Sequence, residues 1–220
     1  IVIIGCGGIG SHLIPPLLRY VETLKTTPEV VLVDGDTVSE SNLGRQEFGA
    51  DAIGINKAMA IYKKLSDYDL QFSDEYVGKN NVDSLIEDGD IVMLCVDNHV
   101  CRKIVSQHCE TLDSILLISG GNELTDGNVQ AYVKQGGKEL TQKMGERHPE
   151  ILTANDGDRA EMSCEALAKL PSGGQIIATN FAAASLMLQF LYLSLTEDPK
   201  YCEVYFDITS LASRGVENDS

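Results

Sequence analysis

A continuous apolar run that ends in a glycine-rich turn opens the sequence and limits its possible folds more than any other feature. The segment Ile1–Ile4 is uniformly apolar, as a strand buried on both faces of a sheet requires, and the letters GCGGIG (5–10) follow at once. We expect a helix from about Gly10. Pro15 and Pro16 fall inside it and remove hydrogen bonds, so we expect either a kink or a late, broken first turn. This order of elements is typical of the first unit of a nucleotide-binding fold.

Buried strands and helices continue to alternate along the first half of the chain. Apolar runs predict strands at 30–34, 90–97 and 114–119, and helical spacing predicts helices at 51–66, with Asp51 as the N-cap, and at 100–110. The alternation predicts an α/β fold, namely a Rossmann-like, doubly wound and mostly parallel sheet.

The pattern changes after residue 121. Apolar and polar residues alternate over 127–135, which predicts a half-exposed antiparallel strand. A long polar stretch without a period, at about 136–174, predicts a crossover-like loop, since loops of this length in compact domains are usually functional or mobile. A largely buried helix at 175–195 and a strand at 202–208 should follow, and the tail from 213 to 220 should fray.

Size and charge restrict the class of protein. A chain of 220 residues without a linker or repeat predicts a single domain over 1–220. The net charge of -16 repels phosphate backbones, so nucleic acid is not an expected partner.

The cysteines and apolar stretches suggest a location. The six cysteines form no CxxC pair and several lie in apolar runs, which is typical of a cytoplasmic protein without structural zinc. The longest apolar stretch contains Ser and Gln and is short for a bilayer, so we expect no membrane partner.

The acid at the end of the second strand favours nucleotide binding. Free N–H groups at the start of the first helix can hold phosphate, and Asp34 is placed to accept hydrogen bonds from a ribose. These features do not identify the nucleotide, because an enzyme that uses a nicotinamide cofactor would have them too.

The stretch after the second strand carries more charge than ribose binding needs. Asp36, Asn42, Arg45 and Lys57 crowd this rim, and the two cations could offset phosphate charge in a transition state. Asp97 follows a strand at the sheet edge where ligands bind and could hold Mg²⁺ with phosphate oxygens. Together these residues point to metal-assisted chemistry on ATP.

Four motifs in this order resemble one family. GxGGxG, DxDxVxxSNLxRQ, GxxKA and a strand that ends in xDN are similar to the ThiF/MoeB/HesA group, adenylating proteins that resemble ubiquitin-activating enzymes. The resemblance extends from Ile1 to about Asp207, and the second motif is the most specific.

The resemblance implies an activity and a set of site residues. It implies ATP and Mg²⁺ as cofactors, and adenylation of the C-terminal carboxylate of a small ubiquitin-like or sulfur-carrier protein by a homodimer. The residues that it implies are the nucleotide contacts Gly7, Gly8 and Gly10, the ribose ligand Asp34, the phosphate ligands Asn42, Arg45 and Lys57, and Asp97 for Mg²⁺ or phosphate.

Three features depart from the family pattern. MoeB-like members usually carry two CxxC pairs, which are missing from this sequence. Members commonly supply an arginine across the dimer interface from an N-terminal segment, and the sequence begins too late to include one. The pair Pro15 and Pro16 is also unusual and could shift the first helix.

Cys164 is the candidate nucleophile for a step after adenylation. It lies in the long polar stretch, at a position that resembles the reactive cysteine of ThiF-type crossover loops, and an accessible thiol can react when its pKa is lowered. Glu161 and Glu165 flank it and disfavour a thiolate, so an inert loop cysteine is an equal alternative.

Other interpretations share the same sequence features. Arg102 could assist Asp97 or be a helix-surface charge. The ATP site could serve a tRNA or small-molecule substrate, the chain could be a nicotinamide oxidoreductase, or it could be a scaffold that keeps the pocket without catalysis.

Overall fold

A nine-stranded sheet forms the centre of the computed structural model, which describes residues 1–154, 177–197 and 199–218. The strand order is β3-β2-β1-β4-β5-β6-β8-β9, with β7 paired to β6. The strands are β1 (Val2–Ile4), β2 (Val30–Val33), β3 (Leu70–Ser73), β4 (Ile91–Leu94), β5 (Ile115–Asn122), β6 (Asp126–Gln135), β7 (Lys138–Glu139), β8 (Tyr201–Asp207) and β9 (Ala212–Glu217).

Helices cover the sheet. Those that the structure describes are α1 (Gly8–Val21), α2 (Lys57–Lys64), α3 (Val82–Leu85), α4 (His99–Thr111), α5 (Met144–Arg147), α6 (Pro149–Thr153) and α7 (Ile177–Thr196).

The pairing confirms the predicted sheet. Strands β1 to β5 pair in parallel, whereas β6 and the strands after it pair antiparallel. The prediction of a frayed tail at 213–220 is wrong for most of those residues, because β9 pairs with β8 from Asp207↔Ala212 to Tyr201↔Glu217. Strand β3 was not predicted, since its four residues include Gln71 and Ser73 and give no apolar run.

Two hydrophobic cores flank the sheet because alternate strand residues point to opposite faces. Ile3 packs with Leu13 and Met187 in the core beneath α1 and α7. Val2 and Leu94 belong to the other core, beneath α3 and α4. This two-sided arrangement is that of a doubly wound fold.

Two helix boundaries differ from expectation. Helix α1 begins at Gly8 and runs unbroken past Pro15 and Pro16 to Val21. Helix α2 begins only at Lys57, where the side chain of Asn56 accepts a hydrogen bond from Met59 N, whereas Asp51 lies in a separate 3-10 turn. Asn56 is therefore the cap in place of the predicted Asp51, and it also makes an isolated bridge with Thr37.

The long polar stretch is only partly a loop. Its described part holds β7, α5 and α6, short elements whose few apolar residues give no readable period. The segment 155–174 lies outside the described residues.

Helix α7 is less buried than predicted. Its inner face, with Ala183, Met187 and Leu191, packs into the core, while Phe181 and Tyr192 on its outer face are about half exposed. By length and composition alone this helix could cross a membrane, a property that core helices of soluble proteins share.

Candidate nucleotide-binding site

The candidate site lies where the strand order of the sheet reverses. Strand β1 pairs with β2 on one side and with β4 on the other, so the chain leaves β1 and β4 at a topological switch point. The glycine turn follows β1 and Asp97 follows β4. In open α/β sheets such a crevice at the carboxyl ends of the strands is the usual place for ligands.

The glycine turn is shaped by close backbone contacts. Gly5 has a φ of 92°, a region that glycine adopts without strain. A Cβ on Gly10 would lie 1.9 Å from the Gly5 carbonyl oxygen. Gly7 is the N-cap of α1 and provides no side-chain cap, which leaves the start of the helix open to an anion.

Gly10→Ala is expected to damage this turn. The added methyl group would force the Gly5 carbonyl to move, which costs about 1–3 kcal/mol of unfolding free energy as overpacking does. The matched control is Gly44→Ala, since nothing lies within 4 Å of a Cβ there. Urea unfolding of both variants measures the difference, and equal stabilities would contradict the expectation.

Asp34 fastens the glycine turn to the end of β2. Its two carboxylate oxygens accept hydrogen bonds from Cys6 N at 2.6 Å and from Asp36 N at 2.8 Å. Burial raises the pKa of Asp34 above its ordinary value, against the lowering effect of Lys57 and these backbone bonds. The carboxylate thus has a structural role, and ribose binding by it stays a prediction.

Asp36 and Lys57 form an ion pair beside the turn. Lys57 Nζ lies 3.0 Å from Asp36 Oδ2, and the hydroxyl of Tyr76 donates to Asp36 Oδ1. Burial would raise the pKa of Asp36, but the charge of Lys57 and the Tyr76 hydrogen bond outweigh it, so the pKa is lowered. The lysine side chain is itself buried rather than solvated at a rim.

The SNLGRQ segment (41–46) packs onto the glycine turn. Asn42, Arg45 and Gln46 are all buried, and a Cβ on Gly7 would lie 3.6 Å from Gln46 Nε2. Among the described residues neither Asn42 Nδ2 nor Gln46 Oε1 has a hydrogen-bond partner. Buried polar atoms without partners are costly. The Asn42 Nδ2 donor therefore fits a phosphate oxygen, whereas Gln46 Oε1 only accepts and fits a hydrogen-bond donor on a ligand.

The remaining candidate site residues, Asp97 and Arg102, lie after the end of β4. Asp97 is exposed, and the side chain of Asn98 caps α4 by accepting from Cys101 N at 2.8 Å. Arg102 is buried, so it is not a helix-surface charge, and its guanidinium donates to the carbonyls of Val96 at 2.6 Å and Gly120 at 2.7 Å. It joins the ends of β4 and β5. A role for Arg102 beside Asp97 stays a prediction.

The five described cysteines are buried. Burial raises the pKa of Cys95 and of Cys109 to about 12 and that of Cys6 well above its ordinary value, so these three thiols are poor nucleophiles. Cys164, the candidate nucleophile, lies outside the described residues.

Two residues of this region were not selected from the sequence. The ring of Tyr76 lies against Gly35, where a Cβ would meet it at 2.5 Å, but Tyr76 follows the strand that the pattern missed. Gln46 is the last residue of the motif DxDxVxxSNLxRQ, and its place in that motif could have identified it as a site residue.

Known proteins resemble this chain in sequence. The profile of the ThiF family matches residues 1–217. The chain is 30% identical over 150 residues to a ubiquitin-like modifier-activating enzyme 5 of Dictyostelium discoideum, covering 60% of this chain and 38% of the relative. It is 28% identical over 200 residues to a probable molybdopterin-synthase adenylyltransferase of Porphyra purpurea, covering 89% of this chain and 49% of the relative.

Solved structures show the same fold. The structure of E. coli MccB with ATP superposes with a TM-score of 0.69 at 20% identity, covering 99% of this chain and 63% of MccB. The chain thus spans about half or less of the length of the two curated relatives. Since the family profile covers nearly the whole sequence, the chain belongs to the ThiF family.

Proposed function

We propose that the protein catalyses ATP- and Mg²⁺-dependent adenylation of the C-terminal carboxylate of a small ubiquitin-like or sulfur-carrier protein. The observation that carries the proposal is the burial of Asn42, Arg45 and Lys57 in the segments after β2, which contacts from Asp34 and Gln46 join to the glycine turn at the switch point of the sheet. The names of the relatives, an activating enzyme for a ubiquitin-like modifier and an adenylyltransferase, support this class of substrate.

In the proposed reaction a carboxylate oxygen of the carrier protein attacks the α-phosphate of ATP. A new bond joins this oxygen to phosphorus, the bond to the pyrophosphate oxygen breaks, and the products are an acyl adenylate and pyrophosphate. No proton transfer from a side chain is needed, so the protein acts by positioning and by neutralising charge.

Different residues of the chain would bind the phosphates and the Mg²⁺ ion. The open N-terminus of α1 and the donors of Asn42, Arg45 and Lys57 would hold the phosphates. Lys57 is kept in place by Asp36, and Asp97 would hold Mg²⁺, which usually takes one or two protein carboxylates and substrate phosphates. Bound Mg²⁺ would supply further charge neutralisation.

ATP–pyrophosphate exchange tests the proposal. The assay needs a candidate carrier protein, for example one that ends in Gly-Gly and is retained by this protein in a pull-down. Exchange should require the carrier and Mg²⁺ and should be lost when the last carrier residue is deleted. Exchange that depends instead on a tRNA or a small molecule would identify a different substrate, and binding of NADH without exchange would refute adenylation.

We further propose that the thiolate of Cys164 attacks the acyl carbon of the adenylate, so that a thioester forms, the bond from the acyl carbon to the phosphate oxygen breaks, and AMP leaves. If so, a carrier adduct that thiols cleave should form on the wild-type protein and be absent from Cys164→Ser, while pyrophosphate exchange remains. Non-reducing gel electrophoresis and mass spectrometry of the adduct measure this. An adduct that persists in Cys164→Ser would exclude the residue.

We also propose that the protein acts as a homodimer, on the family resemblance described above. Analytical ultracentrifugation tests this, and a monomer that is fully active in exchange would refute it.

A further inference from the structure

The main chain of Arg45 is held from two sides by buried polar side chains. Its carbonyl oxygen lies 3.0 Å from Asn180 Nδ2 in α7 and 3.1 Å from His12 Nε2 in α1. Asn180 is 0% exposed and His12 is 4% exposed. Two buried donors that converge on one carbonyl in a connecting segment fix that segment more firmly than a solvent-facing loop would be fixed.

The orientation of the Asn180 amide is determined by its neighbour. Asn122 Nδ2, at the end of β5, donates to Asn180 Oδ1 at 3.0 Å. Since an amide oxygen only accepts, the Asn180 nitrogen must be the atom that faces Arg45 and donates to its carbonyl. The amide therefore links the Arg45 segment to the end of β5 and to α7, which is 135 residues away in sequence.

The His12 ring is oriented by contacts on its other sides. Its Nδ1 lies 3.3 Å from Glu47 Oε1, and the ring stacks on Phe181 with centroids 4.2 Å apart and planes 28° apart. The neighbouring Ser11 Oγ accepts from Glu47 N at 3.1 Å. Helix α1, which starts at the glycine turn, thus holds residues 45 and 47 at fixed positions.

We propose that Asn180 and His12 are positioning residues that fix Arg45 for phosphate binding, an inference that rests on the proposed function. Both act on the backbone of Arg45, so none of these bonds uses its guanidinium. A side chain whose backbone is fixed before the ligand arrives loses less conformational freedom on binding. One of the two residues that position Arg45, Asn180, therefore lies in α7, far in sequence from the motif that contains Arg45.

Asn180→Leu tests the proposal, because leucine has nearly the same shape and lacks the donor. By calorimetry, the Kd for ATP should rise about three- to tenfold, the loss expected for one hydrogen bond. The Kd for adenosine, which lacks the phosphates that Arg45 would bind, should be unchanged. A general loss of fold would instead weaken the binding of both ATP and adenosine.

Thr179→Val is the matched control. Thr179 is also 0% exposed in α7 and donates to a backbone carbonyl, that of Leu124, at 2.7 Å, but it does not contact Arg45. Its ATP affinity should equal that of the wild type. His12→Phe, which keeps an aromatic ring against Phe181 and loses the donor, should reproduce the ATP-specific loss and provides the test if Asn180→Leu does not fold.

A double-mutant cycle separates the inference from the proposed function. If Asn180 acts through Arg45, Asn180→Leu should add little to the loss already caused by Arg45→Ala. If the wild type does not bind ATP, or Arg45→Ala binds it equally well, the proposed phosphate site fails. Two outcomes would overturn only this inference. In the first, Arg45→Ala weakens ATP binding but the Asn180 and His12 variants bind ATP as well as Thr179→Val does. In the second, the losses of ATP affinity caused by Arg45→Ala and Asn180→Leu are additive.

Discussion

Arg45→Ala and Lys57→Ala are each expected to lower kcat/KM for ATP-dependent adenylation by a factor on the order of 10²–10³, the loss seen when one preorganised donor to transition-state charge is removed. Both cations are buried, at 7% and 5% exposure, in a region where water screens charge poorly. Pyrophosphate exchange measures the loss.

Two controls separate catalysis from folding. Lys63→Ala removes an exposed lysine from the same helix as Lys57 and should leave exchange unchanged. Lys57→Met keeps an apolar stem of similar length and should lose activity as Lys57→Ala does, while it leaves Asp36 without its cation. Thermal unfolding of each variant shows whether the fold persists. Exchange at the wild-type rate in a folded Arg45→Ala or Lys57→Ala variant would refute the phosphate role.

Glu203→Gln is expected to reduce the free energy of unfolding by about 3–5 kcal/mol, the usual cost of breaking a buried ion pair. The Glu203 side chain is 0% exposed and lies 2.8 Å from His148 Nε2 and 3.1 Å from Arg147 Nε. It also accepts from Asn128 Nδ2 at 2.7 Å. The variant would leave the charges of Arg147 and His148 without their central carboxylate.

The pH dependence of this effect has a definite sign. Burial would raise the pKa of Glu203, but hydrogen bonds from His148 and Asn128 outweigh it and lower the pKa from 4.5 to about 2. Its contribution to stability is therefore present above pH 4.5 and is lost as the pH falls toward about 2. The hydrogen bond to Glu203 raises the pKa of His148 above 6.5, so its contribution is complete below pH 6.5 and is lost as the pH rises through the raised value.

The two dependences together place the largest difference between wild type and Glu203→Gln at about pH 4.5–6.5. Urea unfolding at pH 5.5 and 9 measures it. The control is Glu217→Gln, whose partner Lys200 is 3.6 Å away with both side chains about two-thirds exposed, so its effect should stay below about 1 kcal/mol. A difference that grows at pH 9 would contradict the assignment to His148.

Local pattern accounts for the parts of the fold that were predicted. The apolar run at Ile1–Ile4 and the glycines after it specify a strand and a turn from their own backbone and side-chain properties, and both were found. Where the local signal is weak, prediction failed: the strand Leu70–Ser73 has half its residues polar, and the strand Ala212–Glu217 reads as a polar tail. Each is held by pairing with a neighbouring strand.

The sequence by itself determined the α/β class, the glycine turn and the motif that contains Asn42 and Arg45, because strand burial, glycine geometry and motif spacing are local properties. Only the tertiary structure decided that Arg45 and Lys57 are buried, that Asn180 holds the Arg45 carbonyl, and that His148 pairs with Glu203. The partners in these hydrogen bonds and ion pairs come from segments up to 135 residues apart, and their burial and pKa depend on atoms that only folding brings within a few ångströms.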